Sequence, residues 1–291
     1  MRIAIIVNPG SGRAKTRGSR FEIAKQLVDR LKIDAEVVAT ESRGHGAELA
    51  QKFVDAGCER VIAWGGDGTV NEVAGPIIGT RTTLGIIPGG SGDGYAHSLG
   101  LPVKPEAALA HAVAAPARDA DVGFLAGRHF LNIAGVGFDA VVAAQFNRRK
   151  DRGTRAYMVD SLAGVWSYRC RRYDIRIGDQ RFTGSHFLIA FANGREYGSG
   201  LVIARDASVF DGELDAILVS GGGVLSQFWR ARRLALRPMA RARGIWRGRV
   251  TSARITGDRL DCHVDGETFD VSGEVTVEVK PGAIRVAAGT G

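Results

Sequence analysis

Gly65-Gly66-Asp67-Gly68-Thr69 follows an apolar run, residues 61–64, that is typical of a buried strand. A segment with helical apolar spacing, residues 70–78, comes directly after it. Three glycines at a strand-to-helix turn leave backbone N–H groups open to a large anion, and the positive end of the helix adds to the attraction. Asp67 lies inside this loop, and an acid beside a phosphate site indicates a metal ion. The loop therefore predicts a nucleotide site; a tight turn without a ligand is the alternative.

Strands and helices alternate around this loop through the first third of the chain. Apolar patterns predict strands at residues 3–7, 35–39, 61–64 and 84–87, and helices at 21–31, 47–56 and 70–78. Repeated β-α units predict a parallel sheet with helices on both faces, and such sheets bind ligands at the carboxyl ends of their strands. Three glycine-rich loops, at residues 8–12, 65–69 and 88–94, fall at those ends.

Composition indicates a globular protein with anionic partners. The 291 residues are 45% hydrophobic and 24% charged, which is enough apolar surface for one large core or two ordinary ones. The net charge of +8 favours a nucleotide, a nucleic acid or an acidic membrane surface, but no nucleic-acid recognition module is visible.

The cysteines and the apolar runs indicate where in the cell the protein is expected. The three cysteines are far apart, so a zinc site or a disulfide framework is not expected, and a cytoplasmic location is the simplest prediction. No stretch reads as a signal peptide or a transmembrane helix, so any membrane contact is expected to be peripheral, at the inner membrane face.

The pattern changes after about residue 121. Short strands separated by turn signals are predicted at residues 129–134, 173–177, 186–192, 214–219, 250–255, 260–264 and 275–279. Helical insertions are predicted around 154–169 and 224–243. We therefore expect a nucleotide-binding α/β domain over residues 1–122 and a mostly antiparallel β-sandwich over 123–291, with the last residues able to return to the first domain.

Two acidic turns accompany these strands. Asp211-Gly212-Glu213 and Asp265-Gly266-Glu267 both lie at predicted strand edges. Asp-Gly is a common hairpin turn, so each triplet has a purely structural interpretation as well as a chemical one.

The ordered set of motifs resembles the diacylglycerol kinase catalytic-domain family, in its bacterial soluble lipid-kinase branch, which shares a superfamily with NAD kinases and sphingosine kinases. The resemblance runs almost end to end. It is carried by Asn8-Pro9-x-Ser11-Gly12, the 65–69 loop with Asn71-Glu72, the third loop ending in Tyr95-Ala96, Asn132-Ile133-Ala134-Gly135-x-Gly137-Phe138-Asp139, Asn193-Gly194 with Tyr197-Gly198-x-Gly200, Ala207-x-x-x-Asp211-Gly212, and Asp265-Gly266-Glu267.

The resemblance implies an NAD kinase/phosphofructokinase-like first domain and a kinase that uses ATP and Mg²⁺ on a lipid hydroxyl. ATP is then expected across the three glycine-rich loops. The matching positions are Asn8, Gly10, Ser11, Gly12, Arg13, Thr40, Gly65, Gly66, Asp67, Gly68, Thr69, Asn71, Glu72, Gly90, Ser91 and Asp93.

By the same resemblance, Glu267 is the expected catalytic base and Asp265 the second choice. A structural magnesium is expected on the Asp211 carboxylate with the backbone carbonyls of Ser208 and Glu213. Asp67 would hold the magnesium of the nucleotide. The base and Asp67 fall in different predicted domains, so the expected site is the cleft between the two domains.

One departure from the family pattern concerns the third loop. The acid usual in the family falls on Gly94 here, and an acid stands one place earlier, at Asp93. Either Asp93 reaches the same magnesium, or activity or acceptor choice is altered.

The basic segment 229–249, which contains two tryptophans and no acid, suits a helix that docks on anionic lipid headgroups; a solvated arginine-rich face is the alternative.

Two other functions stay open beside the lipid kinase. The glycine loop supports an NAD kinase equally, although the late acidic triplet does not. Gly94 motivates a catalytically weak protein that binds a nucleotide or a lipid.

Overall fold

The structure is a computed structural model that describes residues 1–12, 19–148, 168–223 and 243–289. The chain divides into two compact units. Unit 1 comprises Met1–Ala120 and the chain from Gly282 onwards, and unit 2 comprises Asp121–Pro281.

Unit 1 alternates strands and helices. Its elements are β1 (Ile3–Val7), α1 (Ser19–Arg30), β2 (Ala35–Ala39), α2 (His45–Asp55), β3 (Arg60–Gly65), α3 (Asp67–Ile77), β4 (Thr83–Pro88), α4 (Gly94–Ser98), α5 (Pro105–Ala114) and the start of β5 (Ala117–Leu125).

The sheet of unit 1 places the ends of its strands side by side. β1 pairs with β2 and β3, and β3 pairs with β4, all in parallel. Arg285 and Val286, near the chain end, pair in parallel with β4. Ile3, Ile5 and Val7 of β1 pack in one cluster with residues of α1 and α5, whereas α2 and α3 contact β1 and β3 outside that cluster. Helices therefore cover both faces, and the loops that follow β1, β3 and β4 emerge at one edge.

Unit 2 is rich in strands. Its elements are the rest of β5, β6 (Arg128–Phe130), β7 (Ile133–Gly137), α6 (Phe138–Arg148), β8 (Arg171–Ile177), β9 (Gln180–Ala192), β10 (Leu214–Ser220), β11 (Ile245–Val250), β12 (Ser252–Val264) and β13 (Glu267–Ala287, whose end belongs to unit 1).

The strands of unit 2 pair antiparallel in the order β11-β10-β9-β7-β12-β13, and β8 pairs with β9 and β12. Two buried clusters form its core. One lies among the strands, and the other packs Phe138 and Val142 of α6 against Phe187 and Ile217. The β-rich second domain predicted from the sequence is present.

Several predicted elements differ in the structure. The strand predicted over 129–134 is two strands, because the N–H groups of Leu131, Asn132 and Ile133 bond to a side chain and not to a neighbouring strand. The predicted strand 260–264 and residues 252–255 of the predicted strand 250–255 belong to one long strand, β12, with an irregularity after Gly257, whereas Val250 ends β11. The sequence patterns did not predict α5, α6 or β5.

The prediction of a basic helix over 229–249 is wrong at its end. Ile245–Val250 is an edge strand that pairs with β10, because its side chains Ile245 and Trp246 pack against the core clusters of unit 2. Residues 154–167 of the first predicted helical insertion and residues 224–242 of the second lie outside the described residues, and the latter include the first part of the basic segment. No helix of the described chain is long and apolar enough to cross a bilayer.

Candidate functional site

The first glycine-rich loop is tied to the second by Asn8. Its N–H donates to the carbonyl of Trp64 at 2.9 Å, and its side-chain Nδ2 donates to Oγ1 of Thr69 at 2.8 Å. The amide oxygen of Asn8 also accepts the N–H of Gly10 at 2.8 Å. Asn8 therefore fixes its own loop and the start of α3 with one side chain.

The second loop opens directly into α3. The helix begins at Asp67, with Gly66 as its N-cap, so the amides of its first turn lie at the loop. A Cβ added to Gly65 would lie 2.5 Å from Thr69, whereas a Cβ added to Gly68 would meet nothing within 4 Å. Gly65 is thus required by packing, and the space beside Gly68 is open, as an anion site at a helix start needs.

The third loop lies against both of the others. The N–H of Gly89 donates to the carbonyl of Gly65 at 2.9 Å, and a Cβ on Gly90 would lie 2.6 Å from the Cα of Gly66. Gly12 has a φ of +76°, and a Cβ there would lie 2.7 Å from the carbonyl oxygen of Gly89. The structure therefore brings the three predicted loops together, with backbone packed on backbone.

Arg20, on α1, was missed by the sequence analysis. Its Nη1 donates to the carbonyls of Asn8 at 3.0 Å and Ser11 at 2.8 Å and to the Ser11 hydroxyl, and its Nη2 donates to the carbonyl of Gly89 at 3.2 Å. Burial lowers the pKa of its guanidinium. Arg20 clamps the first loop to the third and brings a positive charge close to both. No motif marks it, because its partners are backbone carbonyls.

The two acids of the loops have different surroundings. The Asp67 carboxylate accepts the N–H of Tyr95 at 3.2 Å. Asp93 has a φ of +51° and turns back so that its carboxylate accepts the N–H of Gly90 at 2.9 and 3.1 Å. Burial raises the pKa of Asp93, against the hydrogen bond from Gly90. Asp93 therefore closes its own loop beside Gly66.

The remaining predicted nucleotide positions are spread around these loops. Thr40 is buried directly after β2, and its N–H donates to the carbonyl of Val7 at 2.9 Å. Asn71 is buried on α3, and Ser91 is exposed at the tip of the third loop. The Glu72 carboxylate accepts the N–H groups of Gly44 at 3.0 Å and Gly46 at 3.2 Å, so it caps the start of α2. Arg13 lies outside the described residues.

In unit 2, the late acidic triplet forms the tight turn between β12 and β13. Val264 pairs with Glu267, and Asp265 and Gly266 have φ values of +46° and +86°, as a two-residue type I′ hairpin requires. The Asp265 carboxylate accepts three backbone N–H groups at 2.8–3.0 Å, those of Leu131, Asn132 and Ile133. Asp265 anchors the turn, and Glu267 is partly exposed, as Asp265 is.

The earlier acidic triplet carries its own cation. Arg249 Nη1 lies 3.3 Å from Glu213 Oε2 and 3.7 Å from Asp211 Oδ2. The Asp211 carboxylate also accepts the N–H of Glu213 at 3.2 Å, and Asp121 Oδ2 accepts the N–H of Gly212 at 2.7 Å. The magnesium site predicted on the Asp211 carboxylate, with the carbonyls of Ser208 and Glu213, stays a prediction, and an ion there would compete with Arg249 for Asp211.

Side chains that bind metal ions are not clustered in the part of the chain that the structure describes. Among the four described ranges, no three His, Cys, Asp or Glu side chains are grouped so that they could hold a metal ion. Magnesium that accompanies a nucleotide takes most of its ligands from phosphates and water and needs only one or two carboxylates. Asp67, at the head of α3, fits that requirement.

Comparisons with known proteins agree with this architecture. The family model of the diacylglycerol kinase catalytic domain matches residues 2–125, and that of the YegS C-terminal NAD kinase beta sandwich-like domain matches residues 132–288. A solved structure of a diacylglycerol kinase from Bacillus anthracis str. Sterne has a TM-score of 0.75 at 20% identity and covers 99% of this chain and 96% of that chain. At that identity the likeness shows the fold alone.

Curated relatives extend the match. A Chromohalobacter salexigens protein described as a probable lipid kinase YegS-like is 38% identical over 189 residues, which are 63% of this chain and 61% of the relative. A Pseudomonas aeruginosa (strain UCBPP-PA14) protein of the same description is 30% identical over 269 residues, or 86% of this chain and 83% of the relative. The chain therefore belongs to the diacylglycerol kinase catalytic-domain family of lipid kinases.

Proposed function

We propose that this chain is an ATP- and magnesium-dependent kinase that transfers the γ-phosphoryl group of ATP to a lipid hydroxyl. The observation that carries the proposal is the meeting of the three glycine-rich loops at the head of α3, joined by Asn8, Arg20 and the Gly66–Gly90 contact. Backbone amides at a helix start, with room beside Gly68, suit a triphosphate.

Different residues of the chain have different roles in the proposed phosphoryl transfer. The loops clamp the nucleotide, and Asp67 offers a carboxylate to the magnesium that neutralises phosphate charge. Glu267 accepts the proton of the acceptor hydroxyl while that oxygen bonds to the γ-phosphorus and the bond to ADP breaks. Asp265 does not serve as the base in this proposal, since three backbone N–H groups already hold its carboxylate.

We place the acceptor among membrane lipids with a free hydroxyl: a diacylglycerol, phosphatidylglycerol or a sphingoid base. The net charge of +8 supports peripheral contact with an anionic membrane surface, at the cytoplasmic face. Such contact would bring the chain to a substrate that does not leave the bilayer.

Transfer of labelled phosphate tests the proposal. Purified protein is incubated with Mg²⁺, ATP labelled in its γ-phosphate and a total bacterial lipid extract, and the extracted lipids are separated. Label is expected in a lipid band with the wild type and not with Glu267→Gln, which keeps the size of the side chain. In a parallel reaction with NAD in place of the lipid extract, label on NAD would favour an NAD kinase, and tight ATP binding without any labelled product in either reaction would favour a binding protein.

A further inference from the structure

A buried ionisable pair lies next to the turn that carries Glu267. His263, on β12, and Asp139, the second residue of α6, are 2% and 4% exposed. The Nε2 of His263 lies 3.0 Å from Oδ2 of Asp139. Buried charged groups are costly unless they are hydrogen-bonded, so a pair in this position needs a physical explanation.

The protein builds a specific place for the Asp139 carboxylate. The Tyr197 hydroxyl donates to Oδ2 at 3.2 Å, and the N–H of Ala140 donates to Oδ1 at 3.0 Å. Gly135 stands opposite His263 in the β7–β12 pairing, and a Cβ there would lie 1.9 Å from Oδ2. The missing side chain at Gly135 therefore makes the room in which Asp139 reaches the imidazole.

The other ring nitrogen of His263 faces the turn. The N–H of Gly266 points to Nδ1 of His263 at 3.4 Å. Because this nitrogen accepts, the ring proton lies on Nε2, from which it is donated to Asp139. The imidazole thus connects the carboxylate on α6 with the middle of the turn that ends at Glu267.

We infer that His263 is a positioning residue for Glu267, and that Asp139 fixes its ring in the tautomer that can receive the Gly266 N–H. The inference rests on the proposed function in taking Glu267 as the base. Asp265 holds one side of the turn through residues 131–133, and His263 holds the other through Gly266. A base must lie within hydrogen-bond reach of its proton, so a turn held on one side only positions it less well.

Two substitutions of similar size separate this role from simple packing. Asparagine carries its side-chain oxygen where histidine carries Nδ1, so His263→Asn keeps an acceptor for Gly266 and loses the contact with Asp139. Glutamine places its polar atoms where histidine carries Nε2, so His263→Gln keeps the contact with Asp139 and loses the acceptor. A packing role would penalise both variants alike.

The activity measurement uses dioleoylglycerol, phosphatidylglycerol and sphingosine in detergent micelles, with Mg-ATP. We expect kcat to fall about 10- to 100-fold in His263→Gln and by no more than about 3-fold in His263→Asn, with the KM for ATP unchanged in both. Equal kcat values in the two variants, or a loss confined to KM, would overturn the inference. If His263→Gln fails to fold, Tyr197→Phe takes its place, because it keeps the aromatic ring and removes only the hydroxyl that holds Asp139. Its kcat should lie between that of the wild type and the value expected for His263→Gln. A kcat equal to that of the wild type would count against the inference.

A second readout does not depend on any activity. Nitrogen-15 NMR of histidine-labelled wild type should show the His263 proton fixed on Nε2, and Asp139→Leu should lose that fixed tautomer. A proton on Nδ1 in the wild type would overturn the inference even if lipid is phosphorylated. If the tautomer is as expected but no lipid is labelled, the proposed function fails while the geometry around the turn stands.

Discussion

The Asp67 carboxylate accepts a hydrogen bond from the backbone N–H of Tyr95, with 3.2 Å between Oδ1 and the nitrogen. Asp67 is the first residue of α3, and Tyr95 lies in the first turn of α4. The acid of the second loop is therefore also an anchor for the third. A nucleotide that contacts one of these loops meets an arrangement in which the other loop is already fixed, which lowers the entropy cost of binding.

Gly68→Ala should separate nucleotide binding from folding. The new Cβ meets nothing within 4 Å, so we expect an unfolding temperature close to that of the wild type. The methyl group would occupy the open space beside the first turn of α3, where we propose that the phosphates bind, so ATP affinity should fall about 10-fold or more, or at least 1.4 kcal/mol. Titration calorimetry with Mg-ATP measures the loss.

Gly65→Ala is the matched control for that substitution. Its Cβ would lie 2.5 Å from Thr69, so overpacking should reduce the free energy of unfolding by about 1–3 kcal/mol. If Gly68→Ala binds ATP as tightly as the wild type, the helix start does not hold the phosphates.

The sequence was sufficient for those parts of the fold that rest on local patterns. Continuous apolar runs mark β1, β3 and β4, since strands with helices on both faces are buried throughout. The helix α6 was missed because it follows the buried strand β7 without a turn signal. The break between β6 and β7 was missed because Asp265, more than 130 residues later, takes their N–H groups.

In the candidate site, too, only the residues with a local sequence signal were predicted. Glycines at strand ends are a local signal, and they predicted three loops that the structure brings together. Arg20 gives no such signal, because any long cationic side chain on α1 reads as a surface residue until its carbonyl partners are known. The pair of Asp139 and His263 is likewise 124 positions apart and meets only through the register of β7 and β12.

Asp265→Ala should lower the free energy of unfolding of unit 2, because Asp265 is an anchor of its turn. The N–H groups of Leu131, Asn132 and Ile133 are buried, and they would lose their carboxylate acceptor. We expect a loss of about 3 kcal/mol in the free energy of unfolding, measured by urea denaturation. Asp265→Asn keeps an oxygen for two of the three donors and suits a type I′ turn, so it should cost only about 1 kcal/mol. Equal costs for the two variants would show that the carboxylate does not anchor the 131–133 segment.

Asp93→Asn should raise the stability of the folded chain at neutral pH. Burial raises the pKa of Asp93, so the folded chain keeps a proton that the unfolded chain has lost above about pH 4. Stability from this group is full below that pH and falls as pH rises through the folded pKa. Asparagine can still accept the N–H of Gly90 and has no charge to bury.

Thermal unfolding at several pH values measures this effect. The variant should be more stable than the wild type at pH 7, and the difference should shrink as the pH is lowered toward 4. A variant that is less stable than the wild type at pH 7 would mean that the attraction of the Asp93 carboxylate to His97 and Arg20 outweighs the cost of burial.

Removal of magnesium should affect Arg249→Ala more than the wild type. In the wild type, the Arg249 guanidinium lies 3.3 Å from Glu213 and 3.7 Å from Asp211, and its side chain is 49% exposed. The ion pair itself contributes less than about 1 kcal/mol at such a position, but it supplies the positive charge that a metal ion would otherwise bring. Without the Arg249 guanidinium, the two carboxylates repel each other and attract a divalent cation.

We therefore expect the unfolding temperature of Arg249→Ala to rise on addition of millimolar Mg²⁺ and to fall with EDTA, while the wild type and Arg249→Lys change little. A wild type whose unfolding temperature falls with EDTA as far as that of the variant would show that the turn at Asp211 holds a metal ion even beside Arg249.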